Sequence, residues 1–173
     1  MDLEIGVDLV DIGRFEKVLQ RRGFYFLNRF LLPSEILACR KILIDAPGFI
    51  NAKGRGLSMF SKSKAYSYEG EVAGLLESMK SSFDIKEYRL TSIAGLWAIK
   101  EALSKALGVG IGERLAFHDI CVYKGLLGRP CVSMLDERVS RLEEEGGYKI
   151  RGIKASLSHD GGMAMASCVV LFD

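Results

Sequence analysis

The sequence lacks the markers of several common protein classes. Its four cysteines, Cys39, Cys121, Cys131 and Cys168, include no C-x-x-C pair, so the spacing of a zinc site is absent. We expect them to be small buried side chains in a reducing compartment. The longest apolar run near the C-terminus, residues 164–172, is far too short to span a bilayer, which argues against a membrane protein.

A strong charge of one sign is also missing. The 24 Lys and Arg residues and the 22 Asp and Glu residues leave a formal net charge of +2 over 173 residues. Proteins that bind nucleic acid normally carry a much larger basic excess, so the composition disfavours that class. With 49% hydrophobic and 27% charged residues, the chain has an ordinary globular composition and is long enough for one domain with its own core.

The N-terminal residues alternate in polarity. Leu3, Ile5, Val7 and Leu9 point one way and Asp8 points the other, which predicts a strand whose apolar row is buried. Because this strand follows the first residue directly, we expect no signal peptide and a cytoplasmic location.

The remaining elements follow from periodicity and turn residues. Helices are predicted over 14–22, 24–32, 91–107 and 136–145, with another opening at Pro33, and strands over 117–124, 131–135, 149–158 and 163–172. Glycine, serine and lysine interrupt the pattern within about 46–88. We therefore predict an α+β fold in which residues 1–173 form a single domain carrying an insertion there.

The helix predicted over 91–107 has one polar strip. Lys100, Glu101, Ser104 and Lys105 lie within an arc of roughly 140°. The strip is either a solvated face with a Glu101–Lys105 ion pair or part of a site. Asp8 could simply cap the helix after the first strand. Alternatively, Asp8 and Glu101 would supply the one or two carboxylates that Mg²⁺ takes, if the strand packs beside the helix.

Two further segments could receive a phosphate. Ser156, Ser158 and His159 offer hydroxyl and imidazole groups at the end of a strand. A Ser158–His159 nucleophile pair is disfavoured, because neighbours on a strand face opposite ways. Gly108 and Gly110 either approach a phosphate or form a helix end and tight turn. They follow a helix, whereas a dinucleotide fingerprint or P-loop precedes one, so those two motifs are rejected.

Four segments in order resemble one known family. They are IGVDLVDI at 5–12, WAIKEALSKALGVGI at 97–111, GRP at 128–130 and SLSH at 156–159. These resemble the first strand, the signature helix with its loop, the Gly-Lys-Pro turn and the closing hairpin of the holo-[acyl-carrier-protein] synthase family of 4′-phosphopantetheinyl transferases. The resemblance covers the chain apart from its middle and implies an antiparallel sheet packed with a long central helix.

The resemblance also implies an activity. Enzymes of this family move 4′-phosphopantetheine from coenzyme A to a serine of apo acyl carrier protein, leaving adenosine 3′,5′-bisphosphate. Asp8 and Glu101 match the family's Mg²⁺ ligands, and Glu101 is also a candidate general base. Lys105 matches a catalytic lysine that contacts phosphate, and His159 matches the histidine near the nucleotide's 3′-phosphate.

Partners follow from the same resemblance. Arg14 matches a position that contacts the acidic carrier, and Arg21, Arg22 and Phe24 are expected to extend that surface. Gly108, Gly110 and Ser158 are expected beside coenzyme A. Family members of this short type are homotrimers with the active site between subunits, and the activity serves fatty acid biosynthesis.

The chain departs from the family at three places, the mildest of which is Glu4, where a Gly is common. Leu96 stands where an Arg is usual, which removes one expected phosphate contact. The insertion carries Lys53, Arg55, Lys62 and Lys64, which we expect to replace that Arg or shape a lid. These departures leave a second interpretation, a catalytically impaired, carrier-binding oligomeric module of the same fold.

Overall fold

A computed structural model describes residues 2–41 and 76–173. Its elements, in order, are β1 (Asp2–Asp11), α1 (Ile12–Arg22), α2 (Phe24–Phe30), α3 (Pro33–Ala38), α4 (Leu90–Ala106), β2 (Ile120–Lys124), β3 (Pro130–Met134), α5 (Asp136–Gly146), β4 (Ile150–Asp160) and β5 (Met163–Phe172). Residues 76–81 are also helical. Short 3₁₀ helices span Ile85–Glu87, Phe117–Asp119 and Leu126–Gly128. Most of the predicted insertion lies outside the described residues.

The main sheet has three antiparallel strands in the order β1-β5-β4, and β2 and β3 form a separate hairpin. The long helix α4 packs against β1, β5 and β4. The predicted α+β class, with an antiparallel sheet against a long central helix, is therefore confirmed. No helix in the described parts of the chain is both long and apolar enough to cross a bilayer.

The prediction for β1 is wrong about which face is buried. Leu3, Ile5, Val7 and Leu9 are 49–59% exposed. The opposite row faces α4, because Gly6 lets the strand lie directly on the helix backbone. A Cβ at Gly6 would stand 1.9 Å from the carbonyl oxygen of Ala102. The larger apolar row consequently forms an open face of the sheet.

The core lies between α4, the sheet and the first three helices. An aromatic cluster joins α1, α2 and α4, and its members are Phe15, Phe26, Phe30, Trp97 and Phe117. Within it the Trp97 and Phe117 ring centroids are 4.5 Å apart, close enough for a favourable tilted contact. The cluster packs α1 and α2 against α4 through Trp97.

The cysteines behave as small core side chains, as predicted. Cys39, Cys121 and Cys168 are buried, and Cys131 is half-buried. Burial is the main cause that raises the pKa of each of the three buried thiols to about 12. These thiols are therefore neutral near pH 7.

Candidate active site

The site is built where β1 crosses the last turns of α4. Asp8 lies two residues beyond Gly6 and so shares its helix-facing side of the strand. The ammonium group of Lys105 donates to Asp8 Oδ1 at 2.7 Å and to the carbonyl oxygen of Val7 at 3.1 Å. The close approach at Gly6 thus brings together two residues that lie 97 positions apart in the sequence.

Glu101 lies one helical turn before Lys105 and faces the same crossing. Its carboxyl is half-buried. Its pKa is raised, first by burial and then by the negative charge of Asp8, while Lys105 acts in the opposite direction. The structure therefore places Asp8, Glu101 and Lys105 in one electrostatic cluster. The alternative role for Asp8 is wrong, since the cap of α1 is Asp11, which accepts from the Arg14 N–H at 3.0 Å.

This cluster suits a hard divalent cation. Across the residues that the structure describes, no group of three or more His, Cys, Asp or Glu side chains could hold a metal ion. Asp8 and Glu101 instead form a carboxylate pair, and Mg²⁺ typically takes one or two carboxylates and completes its shell with water and phosphate oxygens. Burial is the first cause of the raised pKa of Glu101 and the negative charge of Asp8 is the second, so a bound cation would relieve part of the cost of charging this carboxylate.

His159 lies at the opposite end of α4. Its Nε2 is 2.9 Å from the carbonyl oxygen of Thr91. The ring packs over Gly95, where an added Cβ would stand 3.1 Å from Nε2. Thr91 precedes Glu101 by ten residues, which is about 15 Å along a helix. A single chain therefore holds His159 apart from the carboxylate cluster.

Ser158 and His159 point away from each other within one chain. Ser158 is exposed and pairs with Met165 in the register of β4 and β5, whereas His159 faces α4. The two side chains thus face opposite sides of β4, which is the geometry on which the argument against a nucleophile pair depends. The phosphate-binding role of Ser158 and His159 stays a prediction, and within one chain they would approach a phosphate from different sides of the strand.

The glycines after α4 form a helix end. Gly108 and Gly110 have φ values of +69° and +66°, which glycine adopts without strain. Their N–H groups donate to the carbonyl oxygens of Lys105 and Ser104 at 3.0 and 3.2 Å. These two N–H groups therefore already have acceptors within the chain. A phosphate beside this loop would contact its surface without being bound by them.

Of the residues predicted to bind a partner, three are exposed and one is buried. Arg14, Arg21 and Arg22 are exposed on α1. The expectation that Phe24 extends this surface is corrected, because Phe24 is only 7% exposed and packs against Phe83 in the core. Its neighbour Tyr25, which sequence reasoning missed, is 74% exposed.

The predicted exposure of Lys100 is also corrected. The sequence places it on a polar strip, but its side chain is fully buried and its Nζ lies 2.7 Å from Glu35 Oε2. Leu96 is half-buried and packs against the core. The basic residues of the insertion, Lys53, Arg55, Lys62 and Lys64, lie outside the described residues.

Comparisons with known proteins agree with this architecture. Residues 74–157 match the 4′-phosphopantetheinyl transferase superfamily. A holo-[acyl-carrier-protein] synthase from Helicobacter acinonychis (strain Sheeba) is 34% identical over 96% of this chain and 98% of its own length. A second, from Sulfurovum sp. (strain NBC37-1), is 29% identical over 99% of this chain and 98% of its own length.

Solved structures are similar over the same extent. The crystal structure of Helicobacter pylori holo-[acyl-carrier-protein] synthase in complex with coenzyme A is 33% identical, with a TM-score of 0.62 over 96% of this chain and 99% of that one. The enzyme from Neisseria meningitidis, 23% identical with a TM-score of 0.61 over 97% of each chain, shares the fold. The chain thus belongs to the holo-[acyl-carrier-protein] synthase family of 4′-phosphopantetheinyl transferases.

Proposed function

We propose that this protein transfers 4′-phosphopantetheine from coenzyme A to a serine hydroxyl of apo acyl carrier protein, with Mg²⁺ held by Asp8 and Glu101. The products are holo carrier protein and adenosine 3′,5′-bisphosphate. The observation that carries the proposal is the meeting of Asp8, Glu101 and Lys105 where β1 crosses α4. The coenzyme A complex of the Helicobacter pylori relative supports the choice of donor.

The reaction forms a bond between the serine oxygen and phosphorus and breaks a bond within the pyrophosphate. Lys105 places a positive charge beside the pyrophosphate and opposes the negative charge that develops on the leaving group. When bound, Mg²⁺ supplies further positive charge and orients the phosphates. Glu101 is also the candidate to accept the proton of the serine, because its carboxylate belongs to the same cluster as Asp8 and Lys105.

The expected carrier surface is α1. Arg14, Arg21 and Arg22 form an exposed basic row there, and an acidic carrier would be drawn to it by its charge. The exposed ring of Tyr25 lies at the start of the next helix. Coenzyme A and carrier protein as substrates favour a cytoplasmic location and a place in fatty acid biosynthesis.

The decisive experiment is a transfer assay. Purified protein is mixed with apo acyl carrier protein, coenzyme A and Mg²⁺, and the mass of the carrier is measured by mass spectrometry. We expect its mass to rise by one phosphopantetheine, and we expect EDTA in place of Mg²⁺ to abolish the change. A carrier that binds but gains no mass would favour the impaired, carrier-binding module instead.

We also propose that the chain assembles as a homotrimer. Leu3, Ile5, Val7 and Leu9, together with Met165 on β5, leave a broad apolar face of the sheet exposed, and such faces mark protein contacts. A second copy packed there would cover this face. The family resemblance also implies that the active site lies between subunits, so that Asp8 and Glu101 need not face the His159 of their own chain. The number three comes from the family resemblance.

Replacing Ile5 with lysine tests this assembly. Ile5 is 59% exposed, so the variant should fold, whereas a charge in an apolar contact disfavours association. We expect the wild-type mass in sedimentation velocity to be three times the 19.1 kDa of one chain, and that of Ile5→Lys to fall to one. Leu127→Lys is the matched control, because Leu127 is fully exposed at the tip of the β2–β3 turn. A monomeric wild-type protein, or a trimeric Ile5→Lys variant, would contradict the proposal.

A further inference from the structure

A buried ion pair joins α4 to the elements on the side away from the sheet. The ammonium group of Lys100 donates to Glu35 Oε2 at 2.7 Å and to the carbonyl oxygens of Phe30 and Phe117 at 2.8 and 3.1 Å. An ammonium group has three protons, so each one has an acceptor. Lys100 is thereby fastened to the end of α2, to α3 and to the 3₁₀ helix before β2.

Both carboxylate oxygens of Glu35 also accept hydrogen bonds. Its Oε2 accepts from the Leu32 N–H at 2.7 Å, and its Oε1 accepts from the Val122 N–H at 2.8 Å. It therefore ties the start of α3 to β2 while it neutralises Lys100. Both side chains are withdrawn from water. Buried pairs of this kind seldom stabilise a fold more than apolar side chains of the same volume would. Stability alone is consequently a weak reason for placing a charge inside this core.

The pair lies on the side of α4 opposite to its contact with β1. Successive residues of a helix are turned by about 100°, so Lys100 and Ala102 lie about 200° apart, on nearly opposite sides. Ala102 contacts Gly6 of β1, and Lys100 is hydrogen-bonded on the opposite side of the helix. Glu101 lies between these two fixed points. Any turn of the helix that moved Lys100 from its acceptors would swing Glu101 and Lys105 away from Asp8.

We propose that Lys100 and Glu35 are positioning residues for the transfer reaction, because their buried pair sets the rotation of α4 and thus aims Glu101 and Lys105 at Asp8. This inference rests on the proposed function of that cluster. It adds a requirement that the cluster alone does not reveal, namely a hydrogen-bonded ammonium on the far side of the helix. Neither residue is expected to touch coenzyme A or the carrier.

The test compares two variants that both weaken the core. Lys100→Met keeps a straight side chain but removes the three hydrogen bonds. Leu142→Ala removes buried volume from α5 and changes no residue of α4. At temperatures well below both melting points, we expect Lys100→Met to lower kcat about tenfold or more, since small misplacements of reacting groups are costly. The KM for coenzyme A should change less than about threefold, because mainly transition-state contacts are lost. Leu142→Ala should keep the wild-type kcat.

A neutral double variant covers the case in which Lys100→Met does not fold. Glu35→Gln combined with Lys100→Gln removes both charges but retains groups that can hydrogen-bond, and we expect the same loss of kcat. A kcat within about twofold of wild type in the folded variant, or an equal loss in Leu142→Ala, would overturn the inference.

A second readout does not depend on catalysis. The amide chemical shifts of Gly6, Val7 and Asp8 report the contact between β1 and α4. They should move in the folded Lys100 variant and not in Leu142→Ala, and unchanged shifts would overturn the inference. Failure of the proposed function would appear separately, as a wild-type protein that adds no mass to the carrier.

Discussion

Replacing Glu101 with glutamine is expected to lower kcat by about a hundredfold or more while the protein stays folded. Losses of that size follow when a general base or an equivalent charged group is removed. Glutamine has nearly the same shape but carries no charge, so it cannot accept the serine proton and binds Mg²⁺ poorly. The measurement is the rate at which holo carrier protein forms, at saturating coenzyme A and Mg²⁺.

Stability should respond in the opposite direction. The raised pKa of Glu101 means that burial and Asp8 disfavour its charged form in the folded state. A neutral side chain removes that unfavourable term, so the melting temperature should equal or exceed the wild-type value. This combination of lost activity and retained stability distinguishes a functional residue from a structural one.

Glu144→Gln is the matched control for this experiment. Glu144 is exposed on α5, and the substitution makes the same chemical change far from the cluster in sequence. It should leave kcat at the wild-type value. If Glu101→Gln retained more than about a third of the wild-type rate, Glu101 would be neither the base nor a required metal ligand.

Much of the fold could be predicted because local patterns govern it. The strand predicted over 163–172 coincides with β5, Met163–Phe172, and the long helix differs from its prediction by one residue at each end. The strand predicted over 117–124 begins only at Ile120. Residues Phe117–Asp119 form a 3₁₀ turn in which Asp119 Oδ2 accepts from the Ala116 N–H at 2.7 Å. A side-chain hydrogen bond of this kind leaves no trace in apolar periodicity.

The wrong face of β1 has a different origin. An alternating apolar row predicts a buried face, but it does not say which molecule covers that face. Here Gly6 selects the other row for α4, because only a residue without a Cβ allows the backbone of the strand to meet that of the helix. Under the proposed assembly, a second copy would bury the apolar row.

The candidate site, too, could be predicted only in part from the sequence. Family resemblance supplied Asp8, Glu101 and Lys105 as candidates, but their contact depends on a strand and a helix that are far apart in sequence. The burial of Lys100 was beyond prediction for the same reason, since its partner Glu35 is 65 residues away. A pair of this kind could have been suspected only from a lysine on an otherwise apolar helix.

Replacing Gly6 with alanine is expected to be the most destabilising single-methyl change in β1. The new Cβ would stand 1.9 Å from the carbonyl oxygen of Ala102 and 2.5 Å from the amide nitrogen of Ala106. Both are backbone atoms of α4 and cannot rotate aside. Overpacking of a core typically costs about 1–3 kcal/mol, and a clash with fixed atoms belongs at or above the upper end. A loss of about 3 kcal/mol would lower the melting temperature by roughly 10 °C.

The same methyl group should also damage the site. To relieve the clash, β1 must move away from α4, and Asp8 then withdraws from Lys105. We therefore expect the folded fraction of Gly6→Ala to have a reduced kcat, measured well below its melting temperature. Gly152→Ala is the matched control, because Gly152 lies in β4 of the same sheet and its added Cβ would be 3.9 Å from Leu171 Cδ1, an ordinary contact. That variant should keep wild-type stability and activity. A Gly6→Ala variant that melted within about 2 °C of wild type would show that β1 can lie on α4 without a glycine, and the geometric basis of the site would have to be sought elsewhere.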